Sequence, residues 1–363
     1  MEKLLKAFSQ NGLNLKNHIV MAPMTRSRAI NNLPNELMAE YYQQRSGAGL
    51  IITEGTAPAP EALGYPNIPG IFNKEQVEGW KLTTQGVHSA DTKIFVQLMH
   101  TGRIGHADNL PAGAQVVGVS EITAAGQIFT LTGMKDHSKP TPLTHAGIQE
   151  VIEGFVLASQ NAIEAGFDGV EIHGANGYLP EQFLNPHINN RTDEYGGSIK
   201  NRSRFIVEVV TAVADAIGKE KVGVRLSPFS KLGDLPEYEE REVEQTYAYL
   251  AQKLNQQHIA YLHVGVNGPI PQSTFDSIRE NFQGTIILCN GLTAESAEEA
   301  LNAGFADLTG FGRGFLANPD FVERISKNAP FNEVDFSTLY SPGAKGYTDY
   351  PTLAQVSAQS FKN

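Results

Sequence analysis

Short apolar runs rich in β-branched residues recur along the chain, each followed by a stretch of helical period. They span Ile19 to Met24, Leu50 to Glu54, Ile94 to Leu98, Gly169 to His173, Val222 to Leu226, Tyr261 to Val264, Thr285 to Cys289 and Asp307 to Gly312. Apolar and polar positions alternate little within them, as in parallel strands covered on both faces. Between the runs, the spacing predicts helices over Glu36 to Arg45, His145 to Glu164, Ser198 to Ile217, Glu239 to Gln256 and Ala294 to Ala303. Thr144 and Thr293 stand where N-caps belong, with hydroxyls able to accept from the free N–H groups of a first turn. Eight such βα units predict a single (β/α)8 TIM barrel. The rival, a doubly wound open sheet, needs a G-x-G-x-x-G turn after an early strand, and the sequence has none.

Two segments fall outside the repeat. Asn11-Gly12 predicts a tight hairpin ahead of the first strand, expected as a lid on the bottom of the barrel. Residues 103–142 are too long for an ordinary βα loop and are expected to form a capping subdomain after the third strand, within a single domain spanning 1–363.

Composition narrows the partners. The net charge of -11 disfavours nucleic acid and leaves a small molecule as the expected partner of a monomer or weak homo-oligomer. No apolar run approaches the roughly 20 residues of a membrane span. The N-terminus has no signal-peptide core, and the lone Cys289 allows no internal disulfide and no Cys-based metal cluster; both point to the cytoplasm. Cys289 itself reads as a buried hydrophobe. The scattered histidines form no H-E-x-x-H pair, so no metal site is expected.

In a TIM barrel the chemistry sits at the C-terminal ends of the strands, and here those ends are polar. Thr25 and Gln97 offer hydrogen bonds to a heteroaromatic ring. Asn290-Gly291 and Gly312-Arg313 fall on the last two strands, where exposed backbone N–H groups commonly bind phosphate. Arg225 interrupts an apolar strand; it is either a cation for a cofactor ring or the buried partner of Glu171. His173 and Asn176, three residues apart at a strand end, can donate to one oxygen, although either can also be structural. Tyr178 can supply a proton. Arg191 to Ser198, leading to Arg202 and Arg204, reads as scaffolding.

Taken together, Ala22-Pro23-Met24-Thr25-Arg26, Val96-Gln97-Leu98, Gly169 to Leu179, Arg191 to Ser198, Arg225-Leu226-Ser227-Pro228, Gly310-Phe311-Gly312-Arg313 and Gly346-Tyr347-Thr348-Asp349-Tyr350-Pro351 resemble the old yellow enzyme family. The resemblance runs from near Leu5 to about Leu353 and implies an FMN-dependent ene-reductase that uses NADPH or NADH on electron-poor alkenes. It implies that Thr25 bonds flavin O4, that Gln97 and Arg225 bind the pyrimidine edge, and that Pro23, Met24 and Gly55 pack nearby. Asn290, Gly291, Gly312 and Arg313 would hold the phosphate. His173 and Asn176 would bind the activating oxygen, Tyr178 would donate the proton, and Tyr65, Met99 and Tyr340 would line the substrate pocket. Gly174 and Met99 depart from the family's commoner serine and aromatic residue. Thr25 in place of Cys points to the branch typical of plant, yeast and many bacterial members. Two other readings remain at this point: a glycoside hydrolase using Glu54 and Glu171 as its carboxylate pair, and a non-catalytic flavin-storing protein.

Overall fold

The computed structural model describes residues 1–265, 268 and 270–360. Eight parallel strands close in chain order into a barrel: β1 (Ile19–Met21), β2 (Leu50–Thr56), β3 (Lys93–Leu98), β4 (Gly169–Gly174), β5 (Val222–Leu226), β6 (Tyr261–Gly265), β7 (Thr285–Cys289) and β8 (Leu308–Phe311), with β8 pairing back onto β1. The predicted (β/α)8 barrel is what forms. β1, β2, β4, β6 and β8 are buried at every position, which is why continuous apolar runs encode them.

Several boundaries shift by a residue or two from the sequence expectation, and three differences have a local cause. β1 ends at Met21, because Pro23 follows and has no N–H for the ladder. β8 ends at Phe311, where Gly312 turns the chain into the short helix Arg313–Ala317. The helix expected over Ser198 to Ile217 breaks at Ser203 into Ile199–Arg202 and Arg204–Ile217. The break adjoins Arg202, whose guanidinium is tied to Leu184 O at 2.8 Å and Glu242 Oε1 at 2.5 Å. Thr144 and Thr293 do cap their helices, the latter in a reciprocal box with Ser296.

Asn11 (φ 52°) and Gly12 (φ 82°) supply the two left-handed residues of a tight turn between Phe8–Gln10 and Leu13–Leu15. Phe8, Leu13 and Leu15 share a buried cluster with Val20, Leu50, Phe95, Tyr261 and Leu308, which lie towards the N-terminal ends of the strands. The hairpin packs at the end opposite the polar strand termini.

Residues 103–142 carry the hairpin Gln127–Thr130/Gly133–Asp136 and a parallel pair, Val117–Gly118 with Thr141–Pro142. Arg103 anchors the start of this segment to Gly233 O (3.1 Å) and Asp234 O (2.5 Å) in the loop after β5, and Ala125 N donates to Asp234 Oδ2 at 2.9 Å. The C-terminal segment is pinned differently. Tyr347 stacks on Tyr41 with ring centres 4.0 Å apart, flanked by Arg26, Arg28 and Arg45. Arg26 and Arg28 donate to the carbonyls of Gly346, Leu339 and Thr338. Desolvated guanidinium groups on aromatic faces and carbonyls are cation–π and hydrogen-bond anchors at once. The Arg26 guanidinium is thus committed to the C-terminal segment.

Candidate active site

Strand register decides which polar side chains meet. Gln97 on β3 lies opposite Glu171 on β4, His173 opposite Arg225 on β5, and Arg225 opposite His263 on β6. A register slip in β2 between Ile52 and Gly55 sets Gly55 opposite Gln97. Residues two apart share a face, so Glu171 and His173 point the same way.

Glu171 is fully buried; Gln97 Nε2 donates to it at 2.7 Å and His263 Nδ1 lies 2.8 Å from its other oxygen. Burial works against this carboxylate, but His263, Arg225 and Gln97 together hold its pKa below the usual range. Arg225, by contrast, makes no ion pair within 4.0 Å among the described residues, and its Nε is buried without a partner. Glu171 is thus held by Gln97 and His263 rather than by Arg225. Glu54 is also fully buried, accepting from Arg26 N (3.1 Å) and Tyr42 Oη (3.5 Å). With both carboxylates at 0% exposure and bonded to protein, they do not form the solvent-accessible pair a glycoside hydrolase needs.

The turn after β4 is more open. His173 is 3% exposed; its Nδ1 accepts from Ala175 N at 3.3 Å, which leaves the ring proton on Nε2. Burial, reinforced by Arg225 and His263, pushes its pKa well below the ordinary value, so the ring is neutral. Asn176 (φ 58°) and Gly177 (φ 81°) are both left-handed, and a β-carbon on Gly177 would strike Leu232 O. Asn176 N donates to Ser227 Oγ (2.8 Å) and Gly177 N to Glu181 Oε2 (2.7 Å), while Asn176 Oδ1 is buried without a partner. Tyr178 meets the His173 ring edge-on at 4.9 Å, and its hydroxyl is 3.1 Å from that of Tyr65. Burial first, then Tyr65 and Tyr340, pushes the Tyr178 phenol well above its ordinary value.

A cavity of ≈ 810 Å³ opens at the strand ends and brings together Pro23, Met24, Arg225, Gly291, Gly312 and Arg313. Arg313 is exposed and makes no ion pair among the described residues. Thr25, Gly55, Gln97 and the exposed Asn290 do not line that cavity. Met99 is buried with Tyr65 and Tyr178 packed against its cluster, and a β-carbon on Gly55 would come within 2.5 Å of Met99 Sδ. Tyr340 is 62% exposed on the C-terminal segment. Arg191 ties down the scaffold loop through Leu143 O (2.6 Å), Val119 O (3.2 Å) and Asp193.

A profile of the NADH:flavin oxidoreductase / NADH oxidase family matches residues 3–332. The rice (Oryza sativa subsp. japonica) 12-oxophytodienoate reductase 7 is 40% identical, covering 97% of this chain and 95% of its own. Morphinone reductase, solved in complex with tetrahydroNAD, superposes with a TM-score of 0.92 at 42% identity, over 96% of this chain and 97% of its own. An old yellow enzyme homologue from Zymomonas mobilis superposes with a TM-score of 0.93 at 38% identity, over 97% and 100%. The chain belongs to the old yellow enzyme family. It is an FMN-dependent NAD(P)H oxidoreductase.

The residues at this old yellow enzyme's strand ends suit FMN. Arg225 offers a cation with an unsatisfied buried Nε, Gly291 (φ 76°) has open space where a β-carbon would stand, and Arg313 is a free cation beside Gly312. Among the described residues, no helix is long and apolar enough to cross a membrane. His263 and Glu181 escaped the sequence reading, and Cys289 departs from it. His263 interrupts the apolar run of β6 as Arg225 does that of β5, and that signal could have found it. Cys289 is only partly buried, so it is not the core hydrophobe expected; it lines the cavity, because β7 ends there. Glu181, buried beneath the Asn176 turn, lies on the short helix Leu179–Leu184 and has no marker in local spacing.

Proposed function

We propose that this old yellow enzyme reduces the activated C=C bond of α,β-unsaturated carbonyl or nitro compounds with NADPH or NADH in a ping-pong cycle. The observation that carries the reading is the turn after β4, which gathers a neutral imidazole, the Asn176 side-chain amide and a phenol kept protonated. Relatives named for reducing 12-oxophytodienoate and morphinone, one of them solved with tetrahydroNAD, support the reaction class and the nicotinamide donor.

Bound FMN would supply the hydride chemistry that links the nicotinamide to the alkene. Thr25 would serve flavin O4, Gln97 and Arg225 would serve the pyrimidine edge, and Pro23, Met24 and Gly55 would pack nearby. Glu171 takes one Gln97 N–H and so fixes how that amide presents itself. Asn290, Gly291, Gly312 and Arg313 would hold the phosphate through N–H groups and one guanidinium.

His173 Nε2–H and the Asn176 amide donate to the activating oxygen of the alkene, where negative charge builds. Each such donor is worth about 3–4 kcal/mol in a preorganised site. Their preorganisation rests on Ser227 and Glu181, which fix the Asn176-Gly177 turn from behind. Tyr178 delivers its proton to the α-carbon on the face opposite the hydride, giving net trans addition. Tyr65, Met99 and Tyr340 shape the pocket, and residues 103–142 cap it, with Ile104, Ala124 and Ile128 forming a cluster against Tyr65 and Tyr178.

The test is anaerobic. NADPH should bleach the flavin absorbance of the purified protein, and 2-cyclohexenone should restore it with formation of cyclohexanone. A bleached flavin that no enone, maleimide or nitroalkene reoxidises would instead favour the flavin-storing alternative.

A further inference from the structure

The reaction as proposed leaves His263 and Cys289 without a task. Cys289 ends β7, is partly exposed and lines the same cavity as Pro23, Arg225 and Gly312. His263, 0% exposed, presents Nδ1 to Glu171 at 2.8 Å, while its Nε2 is buried with no hydrogen-bond partner among the described residues. Gly265, two residues on from His263 and so on the same face of β6, lies opposite Cys289. A β-carbon on Gly310 of β8 would stand 3.4 Å from Cys289 Sγ and 3.6 Å from His263 Nε2. With no side chain at that position, nothing from β8 separates the ring nitrogen from the sulfur.

Carboxylate, imidazole and thiol in that order activate a nucleophile. Glu171 fixes the tautomer with the proton on Nδ1, which turns the Nε2 lone pair towards the thiol proton, and it stabilises the imidazolium that results. The charged groups facing the sulfur are His263 from β6, Arg225 from β5 and Glu171 from β4. Burial disfavours the thiolate, but the His263 ring beside the sulfur and then the charge of Arg225 outweigh it and hold the thiol below its ordinary value.

We propose that Cys289 is a nucleophile of the cofactor cavity which, in chains lacking FMN, captures electron-poor alkenes as thioethers that then exclude FMN. The inference rests on the reading of this cavity as the FMN site. The thiolate attacks the β-carbon, a C–S bond forms, and the alkene π pair moves to the activating oxygen as an enolate. The α-carbon then takes back the proton that His263 removed from sulfur. The net change is addition of S–H across C=C, with no external oxidant or reductant. Cofactor occupancy thereby decides whether one class of alkene is reduced or captured.

The test uses the full chain, with FMN bound and after its removal, treated with N-ethylmaleimide without nicotinamide and followed by intact mass. Cys289 is the only cysteine, and Cys289→Ala sets the background from amines. The FMN-free chain should gain one maleimide at pH 7 at least tenfold faster than FMN-free His263→Asn. Saturating FMN should slow labelling at least tenfold, and labelled chains should no longer quench FMN fluorescence. Where His263→Asn fails to fold, the pH profile of wild-type labelling decides. A midpoint well below the ordinary thiol value of about 8.5 supports the relay, and one at or above it overturns the proposal. Labelling that is equally fast with and without FMN also overturns it. A protein that binds FMN but labels slowly without it sinks this inference and leaves the reductase reading intact. One that labels quickly through His263 but takes up no FMN sinks the reductase reading and leaves the relay standing.

Discussion

Glu54 and Glu181 are both buried, and burial pushes each pKa up to about 7 against an ordinary value of 4.5. The folded acid therefore stays protonated where the unfolded one ionises, so the native state binds more protons between those values. Stability attributable to these groups is fullest below 4.5 and is lost as pH rises towards 7. The slope is on the order of 1.4 kcal/mol per pH unit for each group. Urea unfolding of wild type and Glu181→Gln at several pH values across this window should show a shallower loss in the variant; identical slopes would remove Glu181 from the account. Tyr178 makes a different prediction at this scale. Tyr178→Phe should lower turnover of cyclohexenone by roughly 10²-fold or more, the usual share of a general acid, while flavin binding is unchanged. Steady-state kinetics beside the flavin spectrum check it.

At the level of elements, each helix and strand has a job that can be separated from the site. The hairpin Phe8–Gln10/Leu13–Leu15 packs at the end of the barrel away from the polar turns, so Leu13→Ala should cost about 2–4 kcal/mol of stability through the cavity it leaves. The flavin spectrum and cyclohexenone KM should not move; a shift in either would mean that the two ends of the barrel communicate. This element was legible because Asn-Gly has few other uses between apolar residues. The strands were legible because double-sided burial writes itself as unbroken apolar runs, and Thr144 and Thr293 because a cap acts on its own helix. Chain spacing does not reveal which residue stands across from which. Gln97 meets Glu171, and His263 meets both Glu171 and the neighbourhood of Cys289, only through closure of the barrel and its register. The same limit left the Arg225 partner undecided and hid Glu181, whose bonds to Gly177, Ser227 and Tyr247 join the turn after β4 to β5 and the helix Glu240–Gln257.

Across the whole molecule, loops from distant parts of the chain converge on one mouth. The segment 103–142 is latched to the loop after β5 by Arg103 and Asp234, and the C-terminal segment is latched by Arg26 and Arg28, bringing Tyr340 near Tyr65 and Tyr178. Asp234→Ala removes the acceptor for Ala125 N and a partner of Arg103. It should raise KM for bulky enones severalfold and speed proteolysis within 103–142, with FMN affinity unchanged; an unaltered KM would argue against a capping role. The net charge of -11 fits this picture, since Arg225 and Arg313, neither in an ion pair among the described residues, both face one cavity. The claim on which the whole account turns is that one pair of side chains holds the activating oxygen independently of the cofactor. Titration of the FMN-loaded protein with a para-substituted phenol, followed by the long-wavelength absorbance of the phenol-flavin complex, tests it most directly. Tight binding is expected in wild type and its loss in the double variant His173→Ala, Asn176→Ala with FMN still bound; unchanged phenol binding in that variant would contradict the assignment.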